Sequence, residues 1–112
     1  MRPTDVARLV EKELASIADA GLVQRARELL VVPYSVTRDW NYGESDEAYV
    51  CWTVLENPKH NIGIAYCEQG FGPIHPWGLV FLSGPHMDMG MDSEWFGSFE
   101  RALRDSRTWI TP

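Results

Sequence analysis

Residues 49–68, YVCWTVLENPKHNIGIAYCE, predict two antiparallel strands joined by a turn. The strands are Tyr49–Glu56 and Ile62–Glu68, and both are rich in the β-branched and aromatic residues that fit a pleated surface. The segment between them, Asn57–Asn61, holds a proline and two asparagines, which are turn formers. We therefore expect a hairpin at the centre of the chain.

A three-residue loop would fix the register of this hairpin. Asn57 would face Asn61, Trp52 would face Tyr66, and Cys51 would face Cys67. One face would then carry five larger side chains and pack under the helices: Val50, Trp52, Val54, Ile64 and Tyr66. The other face would carry Tyr49, Cys51, Thr53, Ala65 and Cys67.

The segments on either side predict three helices and two further strands. Apolar residues at helical spacing predict a first helix through Val6, Val10 and Leu14 and a second through Leu22, Ala26 and Leu29. From Val31 the period changes to two, and the new strand has Tyr34, Val36, Trp40 and Tyr42 on one face. Residues 77–82 are almost continuously apolar, as in a strand buried on both faces. A last helix would be capped by Asp92 or Ser93 and would bury Trp95, Phe96, Phe99 and Leu103.

The whole chain is therefore expected to be one α+β domain, residues 1–112, since its length suits a single domain. The predicted order is two N-terminal helices, a four-stranded antiparallel meander sheet and one C-terminal helix.

Charge is unevenly distributed along the chain. The net charge is −6, but between Asp39 and Glu100 ten acidic residues stand against one base, Lys59, a local balance of −9. Such a field repels nucleic acid and anionic membranes and attracts a basic protein. No run approaches the ~18 apolar residues of a membrane span, and the first residues do not resemble a signal peptide. We expect a cytoplasmic protein with reduced cysteines and no membrane or nucleic-acid partner; the sequence leaves the oligomeric state open.

Acidic and aromatic residues coincide in the predicted loops. Trp40 and Tyr42 lead into a loop with Glu44, Asp46 and Glu47, and His75 lies in the glycine- and proline-rich segment 69–76. Tryptophan and tyrosine often anchor interfaces because they bring large, rigid contact areas. These six residues are our predicted binding site, with no catalytic residue, metal or cofactor.

The cysteine pair leaves an alternative open. Opposed Cys51 and Cys67 could be two buried thiols, a disulfide, or part of a metal site or a small enzyme that uses a loop histidine such as His75. The usual C-x₂₋₄-C and H-x₃₋₅-H zinc spacings do not occur. We therefore expect a binding protein rather than an enzyme.

Residues 62–106 contain the runs IGIAYCEQGFG, PWGLVF and SEWFGSFERAL. These runs resemble the C-terminal half of SUKH-type bacterial immunity proteins, in which glycine-rich turns precede a closing helix with a start like Ser98-Phe99-Glu100. The resemblance implies a small α+β fold that binds and neutralises a co-encoded toxin, often a basic nuclease. The chain is otherwise similar to other small bacterial α+β proteins.

Overall fold

The computed structural model describes residues 1–40, 48–90 and 93–106. In these ranges the chain forms three α-helices and one antiparallel sheet of five strands, which confirms the α+β class. The helices are α1 Pro3–Ala15, α2 Ala20–Leu29 and α3 Phe99–Asp105. The strands, in spatial as well as chain order, are β1 Leu30–Asp39, β2 Ala48–Asn57, β3 Ile62–Tyr66, β4 Trp77–Phe81 and β5 Glu94–Phe96.

The fifth strand corrects the prediction of four strands. Trp95 and Phe96 were assigned to the last helix, but they lie in β5, where Trp95 pairs with Gly78 of β4. A Cβ at Gly78 would lie 2.6 Å from the Trp95 ring, so the missing side chain makes room for the indole. Helix α3 begins later, where the Ser98 side chain accepts a hydrogen bond of 3.1 Å from the main-chain N–H of Arg101.

The same correction moves the helix cap. Ser98, not Ser93, is the N-cap residue, and the other predicted cap, Asp92, lies outside the described residues. The remaining part of the predicted stripe is confirmed, since Phe99 and Leu103 are both fully buried on α3.

The predicted hairpin register is confirmed at its open end and shifts by one residue towards its turn. Trp52 pairs with Tyr66 and Thr53 pairs with Ala65, but Ile64 pairs with Leu55 instead of Val54. An irregularity between Thr53 and Leu55 absorbs the extra residue, as a β-bulge does. The bulge allows two consecutive side chains, those of Val54 and Leu55, to enter the same core.

The turn explains the extra residue. Pro58–His60 form a single 3₁₀ turn, and Asn61 follows in the left-handed region at φ 56°. Asparagine tolerates this conformation better than most residues. Asn57 therefore faces Ile62 rather than Asn61.

The sheet has a packed core on each side. On the helix face, buried side chains of the helices meet those of the strands: Val6, Val10, Leu14, Val54, Leu55, Ile64, Trp77, Phe99 and Leu103. On the opposite side, called the back face, the buried cluster comprises Trp40, Cys51, Ala65, Cys67 and Val80, with Tyr49 and Trp95 packed against it. The predicted division of the hairpin residues between two faces is thus confirmed, and each face carries a packed core.

Segment 82–89 is attached to the end of β1. The main-chain N–H of Asp39 donates to the carbonyl oxygen of Asp88 at 2.7 Å. Beside it, Nη1 of Arg38 donates to the carbonyl oxygens of Phe81, at 3.4 Å, and of Met87. Arg38 is only 1% exposed, so this guanidinium is an interior group rather than a surface charge.

Candidate functional site

The loop end is the end of the sheet at which β1 and β3 end and β2 and β4 begin. The described members of the predicted binding site lie at this end. Antiparallel pairing brings Trp40, Ala48, Cys67 and Pro76 to this same end. Of the predicted contact residues, Trp40 and His75 lie here. Tyr42, Glu44, Asp46 and Glu47 lie outside the described residues.

An open groove occupies the helix face at the loop end. It has a volume of about 370 Å³ and is lined by Met1, Val50, Trp52, Tyr66, Glu68 and Gln69. Val50 is 44% exposed and Trp52 is half-buried, so the sheet here extends beyond the cover that the helices provide. The described lining contains apolar, aromatic, amide and acidic side chains, and no side chain of Lys, Arg or His.

Strand β1 continues this surface towards the edge of the sheet. Thr37 pairs with Val50 and Ser35 pairs with Trp52, and directly paired residues project from the same face. Asp39, which pairs with Ala48, brings a second exposed acid to that face. The exposed surface thus has an apolar centre and polar or acidic margins.

A short hydrogen bond fixes the acid at the groove wall. The hydroxyl of Tyr66 donates to Oε1 of Glu68 at 2.6 Å. Burial, and then the bond to Glu68, raise the pKa of Tyr66, so the phenol keeps its proton and remains a donor. Glu68 itself is exposed, and its carboxylate has acceptor sites left for a ligand.

The groove therefore combines an aromatic face with an oriented carboxylate. An indole attracts a cation through its quadrupole, and a carboxylate accepts hydrogen bonds from ammonium or guanidinium groups. Trp52 and Glu68 together suit the charged end of a lysine or arginine side chain.

Trp40 has a different place from the one predicted. Its side chain is 4% exposed and packs in the back-face core, with ring-centroid distances of 5.0 Å to Trp95 and 5.3 Å to Phe71. Gly70 and Gly90 lie against its ring so closely that a Cβ at either position would overlap it. Trp40 is thus a packing residue that holds the loop end together, not a surface contact.

His75 lies in an exposed part of segment 69–76. Its main-chain N–H donates to the carbonyl oxygen of Gly72 at 3.3 Å. Its neighbour Ile74 is 73% exposed and Phe71 is 48% exposed, so this segment presents apolar side chains to solvent. The same segment begins at Gln69 in the groove wall, which places His75 at the predicted end of the molecule but not in the groove lining.

Sequence reasoning assigned the groove residues to the core. The predicted placement of Val50, Trp52 and Tyr66 on the helix face is confirmed. Tyr66 is buried, as expected, whereas Val50 is 44% exposed and Trp52 is only half-buried. One signal in the sequence could have located the groove: the alternation that places Tyr66 on the helix face also places Glu68 there, and an acid ends the apolar stripe.

The location of the two thiols does not fit the alternative of a small enzyme that uses a loop histidine. Cys51 is 0% and Cys67 is 1% exposed, both are free, and His75 is exposed to solvent. A nucleophile and base need a shared cleft, which buried thiols and a solvent-exposed imidazole do not form. Within the described ranges, no group of three or more His, Cys, Asp or Glu side chains is placed to hold a metal ion.

A larger depression of about 590 Å³ lies between α1 and α2. Its walls are the apolar side chains of two packing helices, including Leu14, Ile17 and Val23. Arg27 at its margin is engaged by Glu11 at 2.9 Å. The lining also contains Gln24 and Glu28, and Glu28 is paired with Arg25 at 3.2 Å, so both charged groups of this depression already have partners.

Comparisons of the chain with family models, with curated proteins and with solved structures found no match. Among the described helices, none has the length and apolar character needed to cross a bilayer.

Proposed function

We propose that this protein is a small binding module whose loop end receives a basic protein partner. The observation that carries the proposal is the groove that Trp52 lines together with Glu68, whose carboxylate Tyr66 orients. A lysine or arginine side chain entering the groove would meet an aromatic face and an acid held in position.

The charge distribution supports a basic partner over an acidic one. The segment from Asp39 to Glu100, which contains the groove strands, has a balance of −9, whereas the remaining residues carry +3. This field would steer a cationic surface to the loop end and raise its association rate. In sequence, the predicted contact residues Glu44, Asp46 and Glu47 come directly before β2, so they add to the acids of this part of the chain.

The resemblance to SUKH-type immunity proteins suggests what kind of basic protein this is. In that class the partner is a co-encoded toxin, often a basic nuclease, and we propose such a toxin as the partner class. The protein would then act in the cytoplasm by binding, without catalysis.

A titration with hexalysine, followed by the NMR signals of the Trp52 indole and the Glu68 backbone, tests the groove directly. We expect these signals to move, and the affinity to fall steeply with added salt. Glu68→Gln should weaken binding about fivefold, because a partly exposed ion pair contributes about 1 kcal/mol. Glu28→Gln on α2 is the matched control, since it removes an exposed acid far from the groove in sequence and leaves the Trp52 site intact.

Two results would refute the proposal. One is equal loss of affinity in the Glu28 and Glu68 variants, which would mean that only overall charge matters. The other is movement of signals in the helices while the Trp52 indole stays unchanged.

A further inference from the structure

Strand β1 lies at one edge of the described sheet, with β2 as its neighbour. The main-chain N–H of Asp39 donates away from β2, to the carbonyl oxygen of Asp88. Along an antiparallel strand the direction of these groups alternates from one residue to the next. The pairing with β2 is regular from Tyr34 to Asp39. Ser35 and Thr37, which alternate with Tyr34 in the same phase as Asp39, therefore direct their N–H and C=O groups out of the sheet.

This stretch of the edge is open to solvent. Ser35 and Thr37 are both exposed, and among the described residues the main-chain hydrogen bonds outside the sheet ladders reach β1 only at Asp39. Proteins often block an edge strand with proline or a bulge. In β1, Pro33 and the irregularity that ends at Tyr34 come before the open stretch and do not cover it. The stretch therefore offers donors and acceptors that a further strand could use.

A second copy of this chain does not fit the open stretch. Segment 82–89 lies on the outside of β1 at Asp39, where the hydrogen bond to Asp88 and a parallel bridge to Met89 attach it. Strand β1 has ten residues, so β1 of another copy, or the helix before it, would run into this segment. The net charge of −6 also opposes self-association. The occupant must be a short extended segment of another protein that ends or turns away before Asp39.

The charges around the stretch favour a basic occupant. Asp39 is exposed on the helix face, and Glu56 accepts a hydrogen bond of 2.6 Å from the Tyr34 hydroxyl. The one base of β1, Arg38, is buried. Val36 pairs with Cys51, so it projects from the back face, as Tyr34 does, and both side chains are partly exposed. An added strand presents alternate side chains to the two faces. Basic side chains on the helix face and apolar ones on the back face would match this edge.

We propose that the outer edge of β1 at Ser35 and Thr37 binds an extended segment of the basic partner as a sixth, antiparallel strand. In antiparallel pairing the residues opposite Ser35 and Thr37 each exchange two hydrogen bonds with them. A lysine opposite Thr37 lies on the helix face and reaches the diagonal Asp39. An apolar residue beside it lies opposite Val36. The basic character of this segment rests on the proposed function, but the edge is separate from the described groove lining.

A pair of modified peptides tests strand addition. The probe is acetyl-Lys-Val-Lys-Val-amide, titrated into the isotope-labelled full-length protein. We expect the amide protons of Ser35 and Thr37 to move downfield and to exchange more slowly with solvent, because they gain hydrogen bonds. The lysine N–H groups of the probe would face the edge. N-methylation of both lysines should therefore weaken binding by about tenfold or more, whereas N-methylation of both valines should leave it unchanged.

A variant of the edge tests the same contact from the protein side. Thr37→Pro removes the outward N–H and leaves the hydrogen bonds to β2 in place, as proline does at the solvent side of an edge strand. It should weaken binding about tenfold. Thr37→Val is the matched control, since it keeps the N–H and changes only the hydroxyl, and it should bind as the wild-type chain does. The two N-methylated peptides decide the question even if Thr37→Pro folds poorly.

The outcomes separate this inference from the proposed function. Equal affinities of the two N-methylated peptides would overturn strand addition. Movement of the Trp52 indole signal with unchanged amides at Ser35 and Thr37 would also overturn it, while the groove would stand. Protection of these two amides with an unchanged Trp52 indole would support the edge site and refute the groove. A titration that changes neither site would overturn both.

Discussion

Arg38 directs its buried guanidinium at the main-chain carbonyl oxygen of Met87, not at a carboxylate. Its second acceptor is also a carbonyl, that of Phe81, and its Nε has no hydrogen-bond partner within the described part of the chain. Burial lowers the pKa of Arg38. Among the described residues, the hydrogen bonds of this buried charge go to carbonyl oxygens, which do not neutralise it. The contact therefore fastens segment 82–89 to β1 but carries a desolvation cost.

Arg38→Met tests this attachment. The variant keeps an apolar side chain but removes the guanidinium donors. The carbonyl oxygens of Phe81 and Met87 then lose this hydrogen-bond partner. We expect the free energy of unfolding to fall by about 2 kcal/mol, measured by urea titration. Arg25→Met is the control, since Arg25 forms an exposed ion pair with Glu28 and such pairs contribute under about 1 kcal/mol. A more stable Arg38→Met protein would show that desolvation of the charge outweighs its hydrogen bonds.

Gly90→Ala should destabilise the protein by overpacking. A Cβ at Gly90 would lie 2.6 Å from Cε3 of Trp40 and 2.7 Å from the carbonyl oxygen of Asp39, and the latter is backbone that moves little. We expect a loss of about 1–3 kcal/mol in the free energy of unfolding and a shift in tryptophan fluorescence.

Gly21→Ala is the matched control for this substitution. Gly21 lies in the first turn of α2, where a Cβ would make ordinary contact at 3.4 Å with the Asp19 side chain. There the same change should stabilise the protein, by roughly 0.5 kcal/mol, because alanine favours a helix over glycine. Destabilisation of both variants by the same amount would contradict the packing argument.

Local patterns predicted most of the fold because period and turn chemistry act over few residues. The hairpin faces followed from alternation alone, and Phe99 and Leu103 from helical spacing. Trp95 was misassigned because an apolar residue near a helix start also fits a short strand. Only the distant Gly78, whose missing side chain accommodates the indole, selects the strand.

The candidate site was less predictable, because exposure depends on where the helices end. Trp52 and Trp40 are both aromatic residues of strands or strand ends, and their sequence neighbourhoods do not reveal which one is covered. The packing of Gly70 and Gly90 around Trp40 buries that ring, whereas the face that carries Trp52 extends past the helices. Both facts are tertiary, so they follow from the assembled sheet and not from either strand alone.

Strand β3 has hydrogen-bonded neighbours on both sides and a packed core on each face, whereas β5 has three residues and, among the described strands, one neighbour. This difference implies that β5 separates from the sheet before β3 does. The amide hydrogens of Ile64 and Ala65 should exchange with solvent only when the whole domain unfolds, while those of β5 should exchange through a local event. Detachment of β5 would uncover the Trp95 side of Trp40, and tryptophan emission would then report this first opening before the rest of the domain unfolds.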